Sequence, residues 1–216
     1  MIILYITEMI GIIAFAVSGA ITGIKNKFDL FGVLILGSAT ALGGGLIRDV
    51  LLGYFPPRMF QNYWYLSVAS IVSTIVFLFF IFSNKKSKTQ KYVKNPLVSK
   101  ITQQVFTISD ALGLAAFTVI GCGYAIESGF DDNAFFVIFL GTLTGVGGGV
   151  LRDLLSVNVP IIFTKQIYAT ASIAGGIIYY FVYNLNNHTA SIIAGGVIIL
   201  IIRYLAAYFN WNLPKA

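Results

Sequence analysis

The sequence predicts an all-α membrane protein with seven transmembrane helices, built as two inverted three-helix repeats plus a seventh helix. Three observations support this fold class: an apolar composition, a succession of long apolar segments, and an internal repeat. Of the 216 residues, 57% are hydrophobic and only 10% are charged, and the mean hydropathy is +0.86. Soluble domains carry about 25% charged residues, so the composition indicates a chain surrounded by lipid.

Seven apolar segments are long enough to cross a bilayer, because about 20 helical residues span its hydrocarbon core. Helices are expected because lipid offers no hydrogen-bond partners to backbone N–H and C=O groups. Aromatic residues near the segment ends, such as Tyr63, Trp64 and Tyr65, indicate the membrane interfaces. The predicted spans cover residues 2–24, 30–54, 63–82, 102–126, 134–157, 164–183 and 189–210.

The internal repeat relates the two halves of the chain. Residues 37–49 align with residues 141–153 at a constant offset of 104, and both segments end in Gly-Gly-Gly-x-x-Arg-Asp. Upstream, Glu8 matches Asp110 and Ala14-Phe15 matches Ala116-Phe117 at an offset of 102. Each repeat holds three spans, and this odd number makes the second repeat enter the membrane upside down. Sites in such inverted repeats lie near the middle of the membrane.

The basic residues predict the orientation and the division of the chain. We expect the chain in the plasma or inner membrane. The positive-inside rule places the lysine-rich linker and the C-terminus in the cytoplasm and the N-terminus outside. The same lysines could instead bind anionic lipid headgroups. Because the basic residues lie in loops beside apolar helices, the net charge of +6 does not indicate nucleic-acid binding. The predicted parts are a first repeat (1–82), the basic linker (83–101), a second repeat (102–183) and a seventh helix with the C-terminus (184–216); the linker lysines are Lys85, Lys86, Lys88, Lys91, Lys94 and Lys100.

A glycine triplet lies near the middle of the second and of the fifth span. Glycine costs about 1 kcal/mol relative to alanine inside a helix, so each triplet weakens its helix. Close helix packing is one explanation. The other is a break that exposes backbone carbonyls to a cavity, and the equivalent positions of the two triplets favour it. The triplets are Gly43, Gly44 and Gly45, and Gly147, Gly148 and Gly149; the hydroxyls that could line a polar path beside them belong to Ser38, Thr40, Thr142 and Thr144.

Two arginines, Arg48 and Arg152, follow the triplets inside the predicted spans. Charges at such depth are costly and usually face the protein interior. Asp49 and Asp153 follow them directly in sequence, and adjacent residues are not expected to share a helix face. A lone Arg203 near the cytoplasmic end of the last span is expected to extend towards the lipid headgroups.

The first helix of each repeat supplies the better partners for these arginines. Glu8 and Arg48 both fall in the outer half of their spans, whereas Asp110 and Arg152 fall in the inner half. We therefore predict two equivalent ion pairs, Glu8 with Arg48 and Asp110 with Arg152. Such pairs could act in transport, or they could only hold the helices together.

Catalysis and metal binding find little support in the sequence. The one histidine, His188, lies in a predicted loop, and Cys122 is the single cysteine. No His-Glu-x-x-His motif, no cysteine–histidine cluster and no histidine within a span is present to activate a nucleophile. We expect no enzymatic activity and no cofactor.

The duplicated Gly-Gly-Gly-x-x-Arg-Asp motif, with an inverted three-plus-three arrangement and a seventh helix, resembles prokaryotic members of the trimeric intracellular cation channel (TRIC) family. The resemblance covers nearly the whole chain. It implies a homotrimer in lipid with one pore per protomer that conducts monovalent cations such as potassium and sodium. It also implies that both glycine triplets are pore-lining helix breaks, and that Arg48 and Arg152 lie near the pore or its gate.

Two other functions remain open at this level. Inverted repeats with broken helices also suit a secondary transporter of a small solute such as glycine. The third hypothesis is a membrane scaffold that transports nothing. An arginine in a cation path repels the permeant ion unless it is paired, which the predicted ion pairs would provide.

Overall fold

A computed structural model describes residues 2–85, 96–164, 167–209 and 211. This part of the chain contains nine α-helices and no β-strand. The all-α prediction is thereby confirmed. Residues 86–95 of the predicted linker, with Lys86, Lys88, Lys91 and Lys94, lie outside the described residues.

The helices follow the predicted spans closely, with two short helices between them. Among the described residues, six helices are long and apolar enough to cross a membrane: α1, α2, α4, α5, α6 and α9. Helix α8 is apolar but has only 15 residues, about 22 Å at 1.5 Å per residue, so a seventh span stays a prediction. The bounds are α1 (Ile2–Lys25), α2 (Leu30–Leu51), α3 (Arg58–Gln61), α4 (Tyr63–Lys85), α5 (Pro96–Ala125), α6 (Ala134–Leu155), α7 (Ile161–Thr164), α8 (Ala169–Tyr183) and α9 (His188–Tyr208).

Helices α2 and α6, which carry the repeated motif, begin in the same way. Asp29 accepts a hydrogen bond from the backbone N–H of Gly32, and Asn133 accepts one from Phe136. These side chains satisfy N–H groups that have no partner within the helix. The two caps are 104 residues apart, and both helices are 22 residues long. The repeat therefore extends to the helix starts.

The predicted helix breaks at Gly43–Gly45 and Gly147–Gly149 do not occur, because α2 and α6 run as continuous α-helices through both triplets. The triplets instead allow close packing. A Cβ atom on Gly44 would collide with the carbonyl oxygen of Thr144, and one on Gly148 would collide with that of Thr40. Small residues let two helix backbones approach in this way, and an intact helix keeps its own backbone hydrogen bonds in lipid.

Helices α1, α2, α5 and α6 form the centre of the molecule. Helix α4 packs on α1 and α2, whereas α8 and α9 pack on each other and on α5. Helix α9 thus adds a contact to the second half that the first half does not have. Short helices α3 and α7 follow α2 and α6, at the ends where the Arg-Asp pairs lie.

Candidate functional site

The first charge cluster consists of Glu8, Arg48, Asp49 and Arg58. Arg48 Nη1 lies 3.4 Å from Glu8 Oε1, and Arg48 Nε donates to Asp49 Oδ1 at 2.8 Å. The Arg48 and Glu8 side chains are only 2% and 9% exposed. The predicted Glu8–Arg48 ion pair is therefore present, and it joins α1 to α2.

The second charge cluster consists of Asp110, Arg152, Asp153 and Arg203. Arg152 Nη1 lies 2.6 Å from Asp110 Oδ1, and Arg152 Nε lies 2.8 Å from Asp153 Oδ1. Arg152 Nη1 also donates to Ser18 Oγ on α1 at 2.5 Å. The predicted Asp110–Arg152 pair is present, with side chains 1% and 0% exposed.

Each arginine also pairs with the aspartate that follows it, although adjacent residues were not expected to share a helix face. The arginine side chain is long enough to bend back over the helix end and reach the adjacent carboxylate. The second aspartate oxygen accepts a backbone N–H from the next short helix: Asp49 Oδ2 from Arg58 at 2.9 Å, and Asp153 Oδ2 from Ile161 at 2.8 Å. Each aspartate therefore ties α2 or α6 to the segment that follows it.

Each cluster also contains a tyrosine that donates a hydrogen bond to its central acid. Tyr65 donates its hydroxyl to Glu8 Oε2 at 3.2 Å, and Tyr168 donates to Asp110 Oδ1 at 3.3 Å. The two tyrosines are 103 residues apart, between the 102 and 104 offsets of the repeat. Tyr65 was expected in an interfacial belt with Tyr63 and Trp64, because all three lie near the end of a predicted span. Those two neighbours are 68% and 55% exposed, whereas Tyr65 turns inwards.

Arg58 and Tyr124 belong to the first cluster only. The guanidinium groups of Arg48 and Arg58 lie 4.0 and 4.1 Å from the centre of the Tyr124 ring, within cation–π range. The Tyr124 hydroxyl lies 3.4 Å from Glu8 Oε2. Tyr124 thus brings α5 into a cluster that the sequence predicted from α1 and α2 alone.

Arg203 belongs to the second cluster, and the prediction that it extends towards the lipid headgroups is wrong. It is 8% exposed, and its Nη2 atom lies 3.7 Å from Asp110 Oδ2. Its guanidinium also lies 4.7 Å from the centre of the Tyr168 ring. Because the buried Asp110 carboxylate compensates the charge of Arg203, this side chain need not extend to the membrane interface.

The two clusters have the same formal charge but differ in hydrogen bonding. Each holds two arginines and two carboxylates, so each is neutral overall. In the second cluster, Asp110 Oδ2, Arg152 Nη2 and Arg203 Nε have no hydrogen-bond partner among the described residues. A buried unpaired polar group costs about 1–3 kcal/mol, so the second cluster is electrostatically paired but incompletely hydrogen-bonded.

A cavity of about 20 Å³ lies against the first cluster, with Glu8, Arg48 and Asp49 in its wall. Its apolar lining includes Ile12 and Phe117. This volume is enough for about one water molecule. The first cluster therefore borders space for water.

The threonines predicted to line a polar path lie at helix contacts. The hydroxyls of Thr40 and Thr144 donate to the carbonyls of Leu36 and Leu140 of their own helices, both at 2.6 Å. Thr40 packs against Gly19 of α1, and Thr144 packs against Gly121 of α5. Ser38 is buried, and the Thr142 hydroxyl has no hydrogen-bond partner within the part of the chain that the structure describes. Their part in an ion path stays a prediction.

The chain is similar over almost its full length to known membrane proteins. A family model described as glycine transporter matches residues 5–80 and 107–184. The UPF0126 membrane protein YvgT of Bacillus subtilis is 36% identical over 208 residues, which are 96% of this chain and 94% of that protein.

Solved structures with a similar fold are cation channels by their descriptions. One is a TRIC cation channel whose conductance was studied by structure. It is 37% identical to this chain with a TM-score of 0.81, and the match covers 98% of this chain and 96% of that chain. Another is the TRIC trimeric intracellular cation channel orthologue from Rhodobacter sphaeroides, 25% identical with a TM-score of 0.84, covering 98% of this chain and 100% of that chain.

Proposed function

This chain belongs to the prokaryotic TRIC family, and from that membership we propose that it is a cation channel of the membrane in which its helices lie. Its permeant ions are monovalent cations, potassium and sodium, and it holds no resident cofactor. We further propose a homotrimer with a pathway in each protomer, since the related channel from Rhodobacter sphaeroides is trimeric. Seven spans, with the N-terminus outside and the C-terminus in the cytoplasm, complete the proposal.

The observation that carries this function is the pair of charge clusters buried in the α1–α2–α5–α6 core. Ionisable groups within membrane spans are costly, and they commonly mark ion pathways. Because each cluster pairs its arginines with an equal number of carboxylates, it presents no net positive charge to an approaching cation. A path along this core passes from one cluster to the other.

The contact between α2 and α6 closes the space between these two helices. At Gly44 and Gly148 the facing backbones leave no room even for a methyl group. The path therefore runs beside this contact, along α1 and α5, unless α2 and α6 separate or slide. Intact helices can move as rigid bodies, and small residues at their contact lower the steric resistance to sliding.

A secondary transporter of a small solute such as glycine is the alternative, and the description of the matching family model favours it. The two functions differ in what they bind. A transporter needs an enclosed site that holds its solute between two gates, whereas a channel needs only weak successive contacts. The cavity beside the first cluster has about 20 Å³, room for one water molecule rather than an amino acid. This favours the channel.

Flux measurements on purified protein in liposomes test the proposal. We expect potassium to move down its gradient without any added solute, and external glycine to leave that flux unchanged. Saturable glycine exchange without ion conductance would establish the transporter instead.

A further inference from the structure

Two buried phenylalanine rings stack on each other in the core. The centres of the Phe15 and Phe117 rings are 5.3 Å apart, with 28° between the ring planes. The two residues are 0% and 2% exposed. They are 102 residues apart, the offset that also relates Glu8 to Asp110. The stack is therefore a contact between equivalent positions of the two repeats.

Helix α1 places Phe15 between the two charge clusters. Glu8, seven residues before it, belongs to the first cluster. Ser18, three residues after it, accepts a hydrogen bond from Arg152 of the second cluster. Seven residues are about two helical turns, or roughly 10 Å, and return to nearly the same helix face. A single helix thus runs from one cluster to the other past the Phe15 ring.

Helix α5 does the same in the opposite chain order. Asp110, seven residues before Phe117, is the central acid of the second cluster. Tyr124, seven residues after Phe117, contacts Arg48 in the first cluster. Phe117 also lines the cavity beside the first cluster. Phe117 therefore borders that cavity, and the Phe15 ring packs against the Phe117 ring.

Glycines on the facing helices leave the space that the two rings occupy. A Cβ atom on Gly113 would collide with the Phe15 ring, and one on Gly148 would come within 3.0 Å of it. A Cβ atom on Gly11 would lie 3.0 Å from the Phe117 ring. Gly11 and Gly113 are again 102 residues apart. The rings thus fill space that any larger residue on the facing helices would occupy.

We propose that the Phe15–Phe117 stack is the apolar constriction that closes the cation path between the two charge clusters. This inference rests on the proposed channel function. A cation in either cluster meets carboxylates and hydroxyls, but between the clusters it meets two aromatic rings without a hydrogen-bonding group. Hydrophobic constrictions exclude water and thereby ions. Opening then requires the rings to part as α1 and α5 shift.

Alanine substitutions of the two rings test this proposal in potassium-loaded liposomes. We expect Phe15→Ala/Phe117→Ala to raise resting potassium flux about tenfold or more, equivalent to lowering the barrier by about 1.4 kcal/mol. Phe117→Leu keeps an apolar side chain of similar bulk, so its resting flux should stay near the wild-type value. Ile199→Ala removes comparable apolar volume from another part of the core and should not raise flux.

The single variants Phe15→Ala and Phe117→Ala are measured alongside, and they decide the matter if the double variant does not elute like the wild type in size-exclusion chromatography. Increased flux in the ring variants but not in Ile199→Ala supports the constriction. Flux equal to that of the Ile199→Ala control in every ring variant overturns it while leaving wild-type conduction intact. If neither the wild type nor any ring variant conducts, the proposed channel function fails as well.

Discussion

The two charge clusters contain equivalent groups but hold them with different tightness. Arg152 Nη1 lies 2.6 Å from Asp110 Oδ1, whereas Arg48 Nη1 lies 3.4 Å from Glu8 Oε1. The Asp110 side chain is 1% exposed and that of Glu8 is 9% exposed. A shorter and more deeply buried ion pair is screened less by water. The second cluster is therefore the stronger electrostatic link.

The residues outside the repeated motif cause this difference. The first cluster receives Arg58 from the short helix α3, and it borders a cavity with room for water. The second receives Arg203 from α9, which has no counterpart in the first half. One motif thus forms two sites of unlike strength because different neighbours complete them. The more firmly held end of the proposed path is therefore the second cluster.

The largest expected effect is the loss of the central acid in the second cluster. Asp110→Asn leaves Arg152 and Arg203 buried without their shared carboxylate, and breaking a buried ion pair costs about 3–5 kcal/mol. Glu8→Gln should cost less, about 1–3 kcal/mol, because Glu8 is less buried and its ion pair is longer. Thermal unfolding of both variants in detergent measures the difference. Equal losses would mean that the two clusters are held equally tightly.

A second test asks whether the two halves are equivalent where the glycine triplets meet. Gly44→Ala and Gly148→Ala each place a methyl group against a facing carbonyl oxygen. Overpacking of this kind costs about 1–3 kcal/mol, and we expect similar losses for both variants, in contrast to the charge clusters.

Gly196→Ala is the matched control for these glycine variants. It lies within helix α9, and apart from its chain neighbours and the backbone of its own helix, no heavy atom of the described residues lies within 4 Å of a Cβ atom there. Alanine is favoured over glycine in a helix by about 1 kcal/mol, so Gly196→Ala should keep or raise the unfolding temperature. If it lowers the unfolding temperature as much as Gly44→Ala does, the α2–α6 contact is not the cause of the loss.

A third test uses the turns that end α2 and α6. Gly53 and Val157 are equivalent residues and both adopt a left-handed backbone conformation, with φ of 76° and 56°. Glycine tolerates this conformation, but a β-branched valine is strained there by roughly 1–2 kcal/mol. We expect Val157→Gly to stabilise the protein and Gly53→Val to destabilise it, as measured by thermal unfolding. An unchanged unfolding temperature in both variants would mean that these turns carry no such strain.

The smallest expected effect concerns Arg203. The distance of 3.7 Å between Arg203 Nη2 and Asp110 Oδ2 exceeds hydrogen-bond length, and the described residues offer no hydrogen-bond partner to Arg203 Nε. Arg203→Met keeps an unbranched side chain and removes the charge. Because Arg152 still pairs with Asp110 at 2.6 Å, no carboxylate is left without a partner, and we expect a loss of about 1 kcal/mol in unfolding free energy. A loss as large as that of Asp110→Asn would make Arg203, rather than Arg152, the main partner of Asp110.

Several features of the site could be predicted because they depend on position along a helix. The depth of Glu8 and Arg48 in their spans, together with the repeat offset, predicted both ion pairs. The Ala14-Phe15 and Ala116-Phe117 match already marked the two phenylalanines as equivalent, although not as partners. Arg203 and Tyr65 were misassigned because each stands near a span end, where lipid contact is the ordinary expectation.

The sequence by itself determined the membrane-spanning class, the positions of the helices and the equivalence of the two halves, because hydrophobic length and repeat offset are local properties of the chain. Only the tertiary structure decided what the glycine triplets do. Whether a glycine-rich segment breaks or packs depends on what faces it, and at Gly44 and Gly148 the facing element is another helix backbone in close contact. The tertiary structure likewise decided which side chains complete each charge cluster, since Tyr124 and Arg203 arrive from helices distant in sequence.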